Sequence, residues 1–166
     1  MSDDAGNSAA VPLGVSRQPI RPLEPTEPAG STREIPTDFA DDVVELRLPA
    51  ASAYLSVLRT ATAGLAARLD FTLDEIEDLR IAVDEACALL IPDAADGAEL
   101  TCLFSLSPDA LSVTVEVPSR TGRAPRRNTF AWTVLTALAG EVDAQAGPGD
   151  RVAVTLLKRR GGRGVP

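Results

Sequence analysis

Histidine is absent from this chain of 166 residues, and cysteine and aromatic residues are scarce. Without histidine the chain lacks the usual general base at neutral pH and the commonest nitrogen ligand of zinc, which excludes a histidine-based catalytic triad or zinc site. Cys87 and Cys102 are the only thiols and do not form a C-x-x-C pair. Because each lies in an apolar periodic segment, we interpret both as buried structural cysteines.

The chain also lacks an excess of positive charge. Its 16 Lys and Arg against 24 Asp and Glu give a net charge of -8, which disfavours binding to nucleic acid or to an anionic membrane. The N-terminus has no basic region followed by an apolar run, as a signal peptide would, and nowhere do ~18 apolar residues run together. We therefore expect a cytoplasmic protein without direct contact to nucleic acid or membrane.

The 45% of hydrophobic residues suffice for one core, since a domain of this size buries roughly two thirds of its unfolded surface. Six of the 13 prolines fall within the first 36 residues, among Gly, Ser, Thr and Glu. Such a stretch cannot bury enough apolar surface to offset its ordering entropy. The sequence predicts a disordered proline-rich tail over residues 1–38, one domain over 39–160 and a flexible tail over 161–166.

Hydrophobic periodicity in this domain predicts a strand, two helices, two strands, a helix and one or two further strands, in this order. Apolar residues at every second position predict strands around 44–48, 100–106, 111–117 and 152–156, with a further short strand considered over 141–146. Helical spacing predicts a first helix from about Ser52 to Leu69. The order of elements predicts an α+β two-layer sandwich, with a mostly antiparallel sheet and three helices on one face.

The second and third helices have recognisable starts. Thr72, with Glu75 three residues later, forms a capping-box pattern, and Asn128 is a favourable cap for the third helix. The expected core stripe of the second helix is Ile76, Leu79, Val83, Ala86, Cys87 and Leu90. The third helix is expected to carry Val134, Leu135, Leu138 and Val142 on one face.

Glu85 lies off the core stripe of the second helix, and Leu89 follows one turn later on the same side, at about 100° per residue. Two interpretations stay open. Glu85 and Asp84 belong to a solvated acidic face, or Glu85 is a functional carboxylate that points out of the helix beside an apolar neighbour.

Two segments of the chain resemble a known family. The run Leu69 to Ile76 followed by Ile81 to Cys87 resembles a helix of bacterial anti-sigma factors of the serine-kinase type, and Phe130 to Ala139 also has a close counterpart there. The resemblance extends from about Val43 to Arg160 and is closest to the anti-sigma-F factors of mycobacteria and other actinobacteria. It implies the histidine-kinase-like ATPase fold and a regulator of transcription in a stress response.

In that family a glutamate on this helix is the general base of phosphoryl transfer, and an asparagine four residues later binds magnesium. Glu85 matches the first position, whereas Leu89 at the second has no oxygen for a hard cation. Pro118 to Gly122 replaces the Asp-x-Gly-x-Gly motif that reads adenine, and Thr129 to Trp132 replaces a glycine-rich helix start. Since three of four nucleotide determinants are missing, we expect a pseudokinase without ATP or magnesium.

The resemblance and the composition also indicate side chains that contact partners. Arg59 matches an arginine with which family members contact the sigma factor, and an ordinary exposed helix arginine is the alternative. Trp132 lies about a third of a turn off its helix stripe, so it either packs into the vacated pocket or anchors a partner. Leu89 is a further candidate.

A dense basic segment lies between the third predicted strand and the third helix. It contains Arg120, Arg123, Arg126 and Arg127. Read alone, such a run suits the phosphates of nucleic acid or of a nucleotide. Because no aromatic residue interleaves it and the chain is acidic, we favour a mobile lid remnant that meets an acidic partner.

Our leading hypothesis is an anti-sigma factor that binds an alternative sigma factor and releases it when an anti-anti-sigma factor competes. The resemblance also implies a homodimer. The alternative is an ATP-dependent serine kinase that phosphorylates the anti-anti-sigma factor, with Glu85 as the base. A scaffold or nucleic-acid accessory that uses the arginine segment is a third hypothesis, and it predicts affinity that falls steeply with salt.

Overall fold

The computed structural model describes residues 42–161. The predictions for residues 1–38 and for the last five residues lie outside this range. Within it the chain forms five strands, three α-helices and two short 3-10 turns. The strands are β1 (Asp42–Pro49), β2 (Glu99–Ser107), β3 (Ala110–Pro118), β4 (Glu141–Ala146) and β5 (Arg151–Arg159). The helices are α1 (Leu55–Arg68), α2 (Leu73–Leu90) and α3 (Phe130–Ala139), and the 3-10 turns span Ser52–Tyr54 and Ile91–Asp93.

The strands form a single antiparallel sheet in the order β1-β2-β3-β5-β4. One row of paired residues crosses the whole sheet and consists of Val44, Phe104, Val113, Leu156 and Val142. Helix α2 packs on β3 and β5 and contacts both α1 and α3. The predicted α+β sandwich with helices on one face is confirmed, and so is the short strand at 141–146.

The core lies between α2 and the centre of the sheet. All six residues of the predicted α2 stripe are buried, and the inward residues of β2 and β3 are buried in strict alternation. Phe104 is among the largest side chains that are fully buried. Because each large apolar side chain contributes roughly 1.5–3 kcal/mol when it leaves water, this layer fixes the position of α2.

Helix α2 begins with the predicted capping box. The Thr72 hydroxyl accepts a hydrogen bond from the Glu75 backbone N–H at 3.3 Å, and the Glu75 carboxylate accepts one from the Thr72 N–H at 2.7 Å. Gly161, which the sequence assigned to the C-terminal tail, donates its N–H to the same carboxylate at 2.7 Å. Partial burial raises the pKa of Glu75, but these hydrogen bonds outweigh it, so its net pKa lies below the ordinary value.

Two predictions at α3 are wrong. Thr129, not Asn128, caps this helix, because its hydroxyl accepts a hydrogen bond from the Trp132 N–H at 3.2 Å. Val142 belongs to β4, since the chain leaves the helix at Gly140 with φ +92°. Ala139, which is 1% exposed, takes a core position in the last turn of α3.

The remaining expectations for the described residues concern cysteine and membrane spans. Cys87 and Cys102 are free and buried, as predicted. Burial raises the pKa of Cys87 to about 12 and also raises that of Cys102. Among residues 42–161, no helix has the length and apolar character needed to cross a membrane.

Candidate functional site

The candidate site is the cleft between the C-terminal half of α2 and the segment that joins β3 to α3. We call residues 119–128 the lid segment. The cleft contains a cavity of about 60 Å³, whereas pockets for drug-sized ligands and cofactors measure roughly 300–1,000 Å³. The cavity is therefore smaller than such pockets. It is lined by Leu89, Leu90, Asp93, Val117, Ser119, Arg123, Pro125 and Val152.

Glu85 and Leu89 lie where the sequence placed them, half-buried and off the core stripe of α2. The Glu85 side chain forms no hydrogen bond or ion pair with another residue of the described range. Leu89 presents a hydrocarbon side chain to the cavity. In nucleotide sites magnesium is held by one or two carboxylates together with the phosphates, and residues 42–161 contain no cluster of three or more His, Cys, Asp or Glu side chains that could hold a metal by themselves. Leu89 thus offers no oxygen to a magnesium ion in the cleft.

Asp93 fastens the lid segment to the end of α2. Its carboxylate accepts hydrogen bonds from the Ser119 hydroxyl at 2.6 Å and the Thr121 hydroxyl at 2.5 Å. These two hydrogen bonds lower the pKa of Asp93. The Asp93 carbonyl also accepts the Arg120 N–H at 2.8 Å. We call Asp93, Ser119 and Thr121 the latch.

The first turn of the lid segment is fixed on its other side by the turn between β4 and β5. The Ser119 N–H donates to the Asp150 carbonyl at 2.8 Å, and the Ser119 hydroxyl accepts the Gly122 N–H at 3.1 Å. Gly122 has φ +63°, and a Cβ there would lie 2.6 Å from Asp150 Oδ1. Only glycine fits this approach without displacing Asp150.

The second half of the lid segment packs against β4 and α3. The Arg127 guanidinium donates to Asp143 Oδ1 at 2.5 Å and to the Ala144 carbonyl at 3.1 Å. It also lies 5.4 Å from the centroid of the Trp132 ring, a distance typical of a cation–π contact. Trp132 is half-buried and packs against the core. The Arg127 guanidinium and the Trp132 ring therefore hold each other in position.

The other candidates fall into two separate groups. Arg59 on α1 pairs with Asp84 on α2, with Arg59 Nε 2.7 Å from Asp84 Oδ2, and its side chain remains 41% exposed. Arg123 and Arg126 lie in the lid segment with exposed side chains that bond to no described residue. The structure thus brings Leu89 and Arg123 together at one cavity and holds Arg59 in an ion pair on the α1–α2 surface.

Sequence reasoning missed the latch and the Arg59–Asp84 pair. Ser119 and Asp93 are 26 residues apart, and Arg59 and Asp84 are 25 residues apart. No local pattern links such pairs. The Pro-Asp sequence at the end of α2 was a usable signal for a turn, but not for the partners of its carboxylate.

Comparison with known proteins gives partial matches. No family model matches this chain. A protein of Bacillus cereus named serine-protein kinase RsbW is 38% identical over 74 residues, which cover 43% of this chain and 46% of the relative. A Bacillus mycoides protein of the same name is 36% identical over 74 residues, with the same coverage. The chain thus spans about half the length of the curated relatives it matches.

A solved structure shares the fold. The crystal structure of the RsbU and RsbW domains of Rv1364c from Mycobacterium tuberculosis superposes with a TM-score of 0.57 at 17% identity. The superposition covers 75% of this chain and 35% of that chain. At this identity the similarity concerns the fold alone, and it agrees with the fold class predicted from the sequence.

Proposed function

We propose that this chain is an anti-sigma factor that sequesters an alternative sigma factor and releases it when an anti-anti-sigma factor competes, without phosphorylating either protein. The similarity to proteins named serine-protein kinase RsbW supports the family. The single observation that supports the non-enzymatic form is the cavity of about 60 Å³ between α2 and the lid segment, which is lined by Leu89.

Release by competition follows from mutually exclusive binding. Whichever partner has the greater product of concentration and affinity occupies the domain, so no chemical step is required. We propose that Arg59 contacts the sigma factor. Its guanidinium is already held by Asp84, so an acidic partner group would compete for a preoriented cation. We also propose that the chain acts as a homodimer in a stress-response system of the actinobacterial type.

Reconstituted transcription tests this proposal. Each alternative sigma factor of the source genome is combined with core RNA polymerase and increasing amounts of the full chain. We expect stoichiometric inhibition of at least one sigma factor, restored by an anti-anti-sigma protein without added ATP. Arg59→Glu should weaken inhibition, and Arg68→Glu is the matched control, because Arg68 is also an ion-paired arginine of α1. If no sigma factor is inhibited, the proposal is wrong.

A second function deserves a test because the relatives are named kinases and the Glu85 carboxylate is not engaged by other described side chains. If the chain is a serine kinase, it must bind Mg-ATP. The non-enzymatic form predicts that isothermal titration shows no binding of Mg-ATP below millimolar concentration. Binding at micromolar concentration, together with phosphate transfer that Glu85→Gln abolishes, would establish the kinase and refute the non-enzymatic form.

A further inference from the structure

A stretch of this acidic chain that has arginines and no acidic residues lies beside the cleft. Between Glu116 and Glu141 the sequence contains four arginines and no Asp or Glu. This stretch carries +4 while the whole chain carries -8, so the rest of the chain carries -12. A local patch of opposite sign to the protein that bears it attracts anionic groups to that position and not to the remaining surface.

Two of the four arginines are used within the domain. Arg120 donates to the Pro92 carbonyl, and Arg127 to Asp143 and the Ala144 carbonyl. The side chains of Arg123 and Arg126 are exposed and meet no acceptor in residues 42–161. These two guanidinium groups can therefore donate hydrogen bonds to a partner's carboxylates without first breaking an internal contact.

The backbone that carries the two free arginines is fixed at both ends. On one side the latch hydrogen bonds hold Ser119 and Thr121. On the other side the Thr129 hydroxyl donates to the Arg126 carbonyl at 3.3 Å and caps α3. A segment that is already ordered loses less conformational entropy on binding than a free loop would.

Phe130 adds an apolar group next to these charges. It is the first residue of α3, and its side chain is 83% exposed. The residue before it, Thr129, donates its hydroxyl to the Arg126 carbonyl, so Phe130 follows Arg126 closely along an ordered backbone. Interfaces between proteins are enriched in aromatic residues and arginine. We call Arg123, Arg126 and Phe130 the lid face; they lie within one stretch of eight residues, and Arg123 also lines the cavity.

We propose that the lid face binds an acidic segment of a partner protein in which an apolar side chain lies beside the carboxylates. Carboxylates pair with Arg123 and Arg126, and the apolar side chain packs on Phe130. The small number of free arginines favours a protein over nucleic acid. Two phosphates would give an affinity slope of only about -2 in log salt, while the charge of -12 elsewhere repels the remaining backbone.

The test uses the full chain and three fluorescein-labelled probes. Two are short glutamate-rich peptides of equal charge, one with a central leucine and the other with glycine at that position. The third is a single-stranded DNA of similar charge. Fluorescence anisotropy at low salt gives the affinity for each probe. We expect the leucine peptide to bind more tightly than the glycine peptide and more tightly than the DNA.

Variants locate the binding surface. Arg123→Glu with Arg126→Glu should weaken binding of the leucine peptide about tenfold or more. Phe130→Ala should reduce the affinity for the leucine peptide to that for the glycine peptide. The matched control is Arg68→Glu with Arg159→Glu, which reverses two exposed arginines outside the lid face and should leave the affinity unchanged.

Three outcomes would overturn the proposal. The proposal is wrong if the lid double variant binds the leucine peptide as the wild type does, or if the control double variant loses as much affinity as the lid double variant. It is also wrong if the DNA binds at least as tightly as the peptides. Circular dichroism verifies folding, and Arg123→Gln with Arg126→Gln replaces the charge reversal if that variant does not fold. The outcome is independent of the transcription assay, because a sigma factor can be sequestered with or without this surface.

Discussion

The two sides of α2 follow different rules. On its core side, six residues at helical spacing are all buried against the sheet. Each of the six is apolar or small, because a core position excludes larger polar side chains. On its outer side, Glu85 and Leu89 are half-buried, and Leu89 lines a cavity of about 60 Å³. The core side holds the helix in place whatever the cleft contains. The cleft can therefore change its chemistry while the fold is retained.

The two ends of α2 differ in the same way. At the N-terminal end, Thr72 and Glu75 satisfy each other's backbone groups through a local pattern. At the C-terminal end, Asp93 finds its partners in a segment 26 and 28 residues further along the chain. The first end stabilises the helix, whereas the second end determines how open the cleft is.

The largest expected effect is on the free energy of unfolding, and it distinguishes a phenylalanine of the core from one next to the lid segment. Phe104→Ala should lower the free energy of unfolding by about 3–5 kcal/mol, because it leaves a cavity in the closed layer between α2 and the sheet. Phe130→Ala is the matched control and should change it by less than ~0.5 kcal/mol, since that side chain is largely exposed. Urea denaturation of both variants gives the comparison. Similar losses would show that Phe130 is part of the core.

A smaller effect is expected at the start of α2. Thr72→Ala removes the side-chain half of the capping box and should cost about 1 kcal/mol. Thr60→Ala is the control, because the Thr60 hydroxyl lies on the exposed side of α1 and donates only to the Ser56 carbonyl. Its cost should stay below ~0.5 kcal/mol. Equal losses in chemical denaturation would mean that the capping box adds nothing to stability.

The latch should respond to pH. The pKa of Asp93 is lower in the folded protein, so its contribution to stability is present above the ordinary aspartate pKa and is lost as pH falls through the folded value. The stability difference between wild type and Asp93→Asn should therefore be full near pH 7 and shrink below about pH 4. Urea denaturation of wild type and Asp93→Asn near pH 7 and below about pH 4 measures this stability difference.

Asp96→Asn is the control for the latch, because Asp96 is exposed in the same connection and its side chain bonds to no described residue. It should show no such pH-dependent difference. A difference between wild type and Asp93→Asn that stays constant down to low pH would mean that the charge of Asp93 does not hold the lid segment.

The smallest effect is expected when an oxygen ligand is introduced at position 89. Leu89→Asn supplies an amide oxygen at the position of Leu89, but the latch and the small cavity remain. Isothermal titration with Mg-ATP should still show no binding below millimolar concentration. Micromolar binding by this variant would show that a single side chain, and not the shape of the cleft, excludes the nucleotide.

Much of the fold was predictable because it depends on local spacing. The alternation in β2 and β3, the α2 stripe and the Thr72 cap each follow from residues that are near one another in sequence. The errors occurred at a boundary. Asn128 and Thr129 are both favourable caps, and only the path of the lid segment selects between them. The positive φ of Gly140 then sends Val142 into a strand.

The candidate site was predictable only in part. The position of Glu85 and Leu89 on the outer side of α2 follows from helical geometry. The partners of Arg59 and Arg127 do not, because each pairs with a carboxylate on another element. The sequence showed four arginines in one segment, and the structure divides them into two that are engaged and two that are free.

The sequence by itself determined the order and type of the elements, the core residues and the hydrocarbon side chain of Leu89 on the outer side of α2, because these depend on side-chain chemistry and short-range periodicity. Only the tertiary structure decided how far the cleft is closed and which arginines stay available. Those properties depend on hydrogen bonds between segments distant in sequence, such as Asp93 with Ser119, and such pairs form only after the sheet and helices have brought them together.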